Sequence, residues 1–287
     1  LLVIFYTQNI SLAAGAAIMG VTVSCLVSSA YLNAIFRKAY KQMPQSCEDV
    51  SSGKDIAKGL LSIAVPITIG SAGLQLLTVL ETKIYMTQLL KTLTQDTADT
   101  QKGIYSMALT IFNMPCAFIT PITISIIPAI TAQLTTGNLN AAKATEESAA
   151  RVSALISMPC AFGLAVLAEP VTALLGGYTG EKLVLAGQLM TLLAVCIFPY
   201  AVIQYTNAVL QSHGYAHVPV INMLLCGGVK LAVVYILVGN PAIGILGAPM
   251  GSVLCYIAIA VLNLISIRRR VAQKPAMLKN LLKSFLP

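Results

Sequence analysis

Long apolar segments separated by short polar connections follow one another along almost the whole chain. A helix needs about 20 apolar residues to cross the roughly 30 Å hydrocarbon core of a membrane. We therefore predict an all-α integral membrane protein with about seven transmembrane helices, over residues 11–36, 60–90, 104–133, 152–175, 183–210, 218–238 and 243–267.

The amino-acid composition excludes a water-soluble protein. Charged residues make up 10% of the 287 residues, against about 25% in an average globular protein, and hydrophobic residues make up 57%. So few charges cannot cover a surface in water, and lipid must surround most of the chain. We expect a multi-pass protein of a cell membrane, most simply a bacterial plasma membrane.

The positive charges are divided unevenly between the polar connections. Of the 18 Lys and Arg residues, 13 lie in residues 37–58, 134–151, 211–217 and 268–287, whereas 4 fall on the opposite side, 3 of them in the alternating connections and Lys83 in the outer part of the 60–90 segment. This asymmetry predicts that the first set faces the cytoplasm. The net charge of +8 therefore indicates membrane orientation, and with no separate basic domain we expect no nucleic-acid partner.

The connection at residues 37–58 is longer than the others and predicts a boundary between two groups of helices. Residues 1–36 would end the first group, and residues 59–267 would form a second group of six helices. Residues 268–287 are either a basic amphipathic segment on the cytoplasmic surface or the start of a further helix. Because the chain begins inside an apolar run, we expect it to be a C-terminal fragment.

Two charged residues inside the predicted helices are candidates for a polar cavity. Lys230 lies near the middle of the 218–238 segment, where an ammonium is costly unless it faces protein or water. It either extends its side chain to the membrane surface or attracts an anionic group such as a lipid pyrophosphate. Glu81 either is embedded in the 60–90 segment or marks its end.

Side-chain amides also recur inside the predicted helices. Lipid-facing amides are unfavourable, so these should point into the helix bundle. They either join helices or line a hydrated cavity that could hold sugars, and the candidates are Gln75, Asn113, Gln204, Asn207 and Asn222.

Prolines inside the predicted helices are candidate hinges, namely Pro66, Pro115, Pro121 and Pro128. Proline removes a helical hydrogen bond and kinks the chain, although membrane helices tolerate it for local packing. The last three fall in one segment, which predicts a bent or broken helix there.

The residues show no pattern typical of an enzyme or a metal site. His213 and His217 have helical i, i+4 spacing, but Gly214 and Pro219 favour a turn. The 7 cysteines form no CxxC pair, and no nucleophile, phosphate-loop or paired-carboxylate motif is present. We expect no catalytic activity, no metal and no cofactor.

Five stretches, in order, resemble the polysaccharide-transporter branch of the multidrug/oligosaccharidyl-lipid/polysaccharide flippase superfamily, in particular proteins like stage V sporulation protein B. They are SIAVPITIGSAGLQLLTVLET (62–82), GIYSMALTIFNMPCAF (103–118), IIPAITAQL (126–134), SMPCAFGLAVLAEPVTALL (157–175) and GVKLAVVYILVGNPAIGILGAPMGSVL (228–254). The resemblance implies two six-helix lobes around a V-shaped cavity. Residues 11–36 would be the last helix of the first lobe and residues 59–267 the second lobe, with the missing N-terminal lobe as a partner.

The resemblance also implies a function. Such proteins flip lipid-linked saccharides, including peptidoglycan precursors of the cell wall, by alternating access between the two sides of the membrane. Glu81 and Lys230 carry over as substrate-cavity residues, and Arg151, at the cytoplasmic start of its helix, carries over as a gate residue. Membrane lipids and the lipid-linked saccharide would be the partners, and sporulation is associated with this branch.

Two other functions remain open. A multidrug or cation antiporter of the same superfamily would need cavity carboxylates that couple Na⁺ or H⁺, for which Glu81 is the candidate. A membrane scaffold that positions cell-wall synthases would transport nothing, and its embedded charges would be dispensable.

Overall fold

The computed structural model describes residues 10–40, 72–73 and 75–271. All the regular secondary structure within these residues is helical. The helices are α1 (Ile10–Tyr40), α2 (described over residues 75–89), α3 (Gln95–Thr135), α4 (Leu139–Val166), α5 (Ala168–Gly176), α6 (Glu181–Ser212), α7 (His217–Val238) and α8 (Gly247–Arg270), with a 3-10 turn at Gly244–Leu246.

Six helical segments among the described residues are long and apolar enough to cross a membrane. They are Met19–Lys38, Gln95–Thr135, Leu139–Val166, Glu181–Ser212, His217–Val238 and Gly244–Arg270. The prediction of an all-α integral membrane protein is thereby confirmed. The predicted segment at residues 60–90 starts in residues outside the described ranges.

The chain divides into two compact units, residues 1–62 and residues 63–287. In the first unit α1 is exposed along all of its described side chains, residues 19–38. In the second unit the helices α3 to α8 pack into one bundle. The division of the chain into lobes, loop and C-terminal segment stays a prediction.

Helix α6 is the centre of the second unit. It packs against α3, α4, α5 and α8, and half of its most apolar segment is buried. Leu189, Met190 and Ile197 are each 0% exposed. A helix that is apolar on every side can lie in a protein interior or in lipid, so the packing contacts, and not apolarity alone, identify α6 as the centre.

Helix α3 is continuous through Pro115, Pro121 and Pro128 over 41 residues. Of the two predicted forms, bent or broken, the broken helix is excluded, because the lost hydrogen bonds are too few to interrupt a membrane helix. A hinge at these prolines stays a prediction. Pro66 lies outside the described residues.

Helix α4 begins at Leu139, thirteen residues before the predicted start at 152. Asn138 caps it, because its side-chain oxygen accepts a hydrogen bond from the backbone nitrogen of Ala141 at 3.2 Å, and this is a common way to start a helix. Ala142 and Ala149 of the added turns are buried. The charged residues of these turns predict a polar connection between helices. In the structure they lie on α4, which begins before the apolar segment does.

Candidate functional site

Glu81 of α2 and Lys230 of α7 form an ion pair, although 149 positions separate them in the sequence. The Lys230 ammonium donates a hydrogen bond to Glu81 Oε2 at 2.6 Å, and the two side chains are 16% and 12% exposed, respectively. Both side chains are thus largely buried, and their assignment to a substrate cavity stays a prediction. The carboxylate compensates the charge of the ammonium, so Lys230 is not an isolated cation.

Helices α2 and α7 approach closely because a glycine lies at their contact. A Cβ atom added at Gly227 would lie 2.5 Å from Leu77 Cδ1, so the leucine side chain would have to move. Further along, the Gln88 amide donates a hydrogen bond to the Tyr235 carbonyl oxygen at 3.1 Å. These contacts on both sides of the ion pair hold Glu81 and Lys230 at bonding distance.

The ion pair faces a cavity of about 220 Å³. Glu81 and Lys230 are its charged lining residues, and the others are Leu77, Thr78, Met223, Gly227, Leu231, Cys255, Tyr256 and Ile259. Apolar walls strengthen any electrostatic contact made inside such a cavity. The arrangement therefore suits one polar or ionic group held against an apolar surround.

Asn207 and Asn222 take part in a network that joins α6, α7 and α8. Its centre is Asn263, which is 0% exposed. Asn263 donates to Asn207 Oδ1 at 2.8 Å and to Thr206 Oγ1 at 3.1 Å, and it accepts from Asn222 Nδ2 at 2.8 Å. The two predicted amides thus join helices, which was one of their two predicted roles.

The sequence prediction missed Asn263, although a signal was present. It is an amide in the apolar run GSVLCYIAIAVLNLISI, like the five that were selected. Serine 252 of the same helix is also buried, so polar residues on α8 face the bundle.

The remaining predicted amides are separate from the ion pair. Gln204 donates to Thr120 Oγ1 at 3.1 Å, and the Thr120 and Tyr200 hydroxyls lie 3.2 Å apart, so this contact joins α3 to α6. Gln75 and Asn113 are exposed. Their assignment to a substrate cavity stays a prediction.

Arg151 is exposed, and its Nε donates to the Glu147 carbonyl oxygen of the same helix at 3.3 Å. A gating role for it stays a prediction.

The turn predicted at His213 and His217 is confirmed, because α6 ends at Ser212, α7 begins at His217, and Gly214 between them has a φ of 82°. A left-handed φ of this kind suits glycine.

Comparison with known proteins gives a family and a fold. The family model described as lipid II flippase MurJ matches residues 1–286. No curated protein matches the chain. Among solved structures, an inward-facing multidrug resistance MATE family transporter of the MOP superfamily is similar, with a TM-score of 0.51 and 16% sequence identity.

That similarity covers 71% of this chain and 52% of the MATE transporter. The chain therefore spans about half the length of that transporter, and at this identity the likeness concerns the fold alone. The matched family and the matched structure are transporters and not enzymes, and the apolar helices make this chain a multi-pass membrane protein. The polysaccharide-transporter branch and fragment status stay predictions.

Proposed function

The chain belongs to the lipid II flippase MurJ family, and from this premise we propose that it carries a lipid-linked saccharide precursor of the cell wall across the membrane. Transport would proceed by alternating access, in which the polar headgroup crosses through a cavity while the lipid tails stay in the bilayer. The observation that supports this proposal is the embedded pair of Glu81 and Lys230 beside a cavity.

The pair suits an anionic headgroup for a chemical reason. A lysine ammonium has three N–H donors, and Glu81 Oε2 uses one of them in the described structure. A phosphate oxygen in the cavity can accept from another. Glu81 would compensate Lys230 while the cavity holds no substrate, because an unpaired buried charge is strongly destabilising.

An antiporter is the second candidate within the same superfamily, but the pair is less suited to it. Glu81 Oε1 is buried without a hydrogen-bond partner among the described residues and could receive a cation. However, Oε2 of the same carboxylate is paired with the Lys230 ammonium at 2.6 Å, whose charge would repel a cation bound there. We therefore favour an anionic substrate.

The organisation proposed with this function is that of a two-lobe transporter. Residues 59–267 would be the second lobe, residues 1–36 the last helix of the first lobe, and the rest of the first lobe the partner that completes the cavity. Similarity to about half of a MATE transporter supports this arrangement. Peptidoglycan precursors are the proposed substrates, in a bacterial plasma membrane.

The test is a flipping assay in proteoliposomes that contain a fluorescent polyprenyl-diphosphate saccharide. We expect Lys230→Met to lower the initial rate at least tenfold, because the headgroup loses its cationic contact. The matched control is Lys91→Met, which should keep the wild-type rate. Lys91 is an exposed lysine near the ring of Tyr235, a residue of α7 like Lys230.

The double variant Glu81→Gln/Lys230→Met separates transport from folding. It leaves no unpaired charge, so it should recover the stability that Lys230→Met loses but not the flipping rate. Wild-type flipping in the double variant would refute the substrate role of Lys230 and favour a scaffold. Drug efflux that depends on Glu81, without flipping, would favour an antiporter.

A further inference from the structure

A second buried carboxylate lies where α4 meets the end of α6. Glu146 of α4 is 2% exposed, and its Oε1 lies 3.6 Å from Nε2 of His213, the residue that follows α6. The His213 side chain is 16% exposed, so solvent reaches this pair from the histidine side. Within the described ranges, His213 is the basic side chain paired with Glu146.

The hydrogen bond of the other ring nitrogen determines the tautomer of His213. Nδ1 lies 3.0 Å from the carbonyl oxygen of Val209. A carbonyl oxygen only accepts, so Nδ1 must carry a hydrogen. Nε2 is therefore the nitrogen that faces the carboxylate.

We propose that Glu146 and His213 form a proton-binding site that holds one proton, on either Nε2 or Oε1, which lie 3.6 Å apart. The proton is either on the imidazole, as an imidazolium–carboxylate ion pair, or on the carboxyl group, as a neutral pair. Without it, a bare nitrogen lone pair would face a buried carboxylate, which is unfavourable because neither group could donate to the other. Burial and geometry together thus favour the bound proton.

The groups around the pair do not replace that proton. On α4 the neighbouring charged residues are Lys143 and Glu147, and α6 contributes Tyr205. On the side of α3, Gln133 is neutral and accepts a hydrogen bond from Thr145 of α4 at 3.0 Å.

The turn after α6 and the end of α8 add further titratable groups. The turn contains Tyr215, and His217 begins α7. Arg270 of α8 lies over the Tyr215 ring at 5.4 Å and not on the Glu146 carboxylate. Among described residues, no Lys or Arg forms an ion pair with Glu146.

The site has a mechanical consequence for the contact between α4 and α6. Deeper along this contact, the Ser153 and Tyr205 hydroxyls are buried and have no hydrogen-bond partner among described residues, and both line a narrow gap that has no room for a water molecule. The described polar contact between the two helices is thus the Glu146–His213 pair. Loss of its proton should loosen α4 from α6 at this end.

The position of the site suggests what it senses. Residues 134–151 and 211–217 both belong to the connections predicted to face the cytoplasm. A proton entering through His213 would come from that side. The site would therefore make the packing of α4 against α6 depend on cytoplasmic pH, independently of what the protein transports.

The first test measures proton linkage through the pH dependence of unfolding in lipid nanodiscs. Near neutral pH an unfolded histidine gives up its proton, whereas the folded pair keeps it. Stability should therefore fall as the pH rises through and above neutrality, with a slope equivalent to one bound proton. Glu146→Gln should abolish that slope, because a neutral amide no longer stabilises a proton bound at this site.

The matched control is Glu147→Gln, which removes the neighbouring carboxylate of α4 and should keep the slope. A wild-type slope in Glu146→Gln would overturn the proposal. A second measurement needs no change at the site: ¹⁵N NMR of histidine in a His217→Asn background observes His213 alone. We expect hydrogen on Nδ1 at every pH, and hydrogen only on Nε2 at high pH would overturn the proposal as well.

Discussion

The Glu81–Lys230 pair gives a quantitative test of how α2 and α7 are held together. Lys230→Met removes the ammonium and leaves a carboxylate that is 12% exposed without its cation. Glu81→Gln leaves the ammonium without its anion. The double variant removes both charges and keeps the approximate volume of the two side chains.

The expected magnitude follows from the separation and burial of the pair. At 2.6 Å and an effective dielectric constant of about 20, Coulomb attraction is about 6 kcal/mol, and desolvation of the two ions offsets much of it. Removing one partner from a fully buried pair costs about 3–5 kcal/mol. Since this pair is slightly exposed, we expect about 2–3 kcal/mol for each single variant and about 1 kcal/mol for the double variant.

These values predict a coupling energy of about 3–5 kcal/mol between the two residues. The assay is reversible unfolding in mixed detergent micelles, followed by circular dichroism because the chain has 0 tryptophans. Lys83→Met is the matched control, because Lys83 is an exposed lysine of α2, the helix that carries Glu81. This substitution should change the free energy of unfolding by less than about 0.5 kcal/mol. A coupling energy below about 0.5 kcal/mol would refute the electrostatic account of this contact.

Three further changes test the packing and the orientation of the helices. Gly227→Ala should destabilise the chain by about 1 kcal/mol in the same unfolding assay, because the added Cβ lies 2.5 Å from the end of the Leu77 side chain, which has to move, whereas Gly228→Ala has open space; equal effects would contradict the close contact. Asn263→Ala should cost about 2–4 kcal/mol, because it removes three hydrogen bonds, and a loss below about 1 kcal/mol would show that the network contributes little. In a cysteine-free background, a membrane-impermeant maleimide added to intact cells should label Thr179→Cys but not Thr136→Cys, and the reverse would invert the predicted topology.

Much of the fold could be predicted from the chain itself. The length of each apolar run selects a membrane-spanning helix, because one helix must cover the hydrocarbon core alone. The start of α4 differs from the prediction although Asn138 is a typical helix cap, because the charged residues after it favour a polar connection. Backbone hydrogen bonds stabilise a helix in water as well as in lipid, so a helix can extend beyond the membrane.

The candidate site, like the fold, could be predicted only in part from the sequence. Lys230 was recognisable as an embedded cation because charges are rare in apolar runs. Its pairing with Glu81 was not, since two residues that lie 149 positions apart meet only when α2 and α7 pack. The same holds for Asn263, whose partners come from two other helices.

The order of residues is enough to predict that lipid surrounds this protein, where most of its helices lie and which charged residues are costly to bury. Each of these depends on the local preference of a segment for lipid or water. Which polar groups pair with one another depends on how the helices pack, as with Glu81 and Lys230 or Glu146 and His213. Such pairs depend on distances of a few ångströms between distant segments, which the packing of the helices sets.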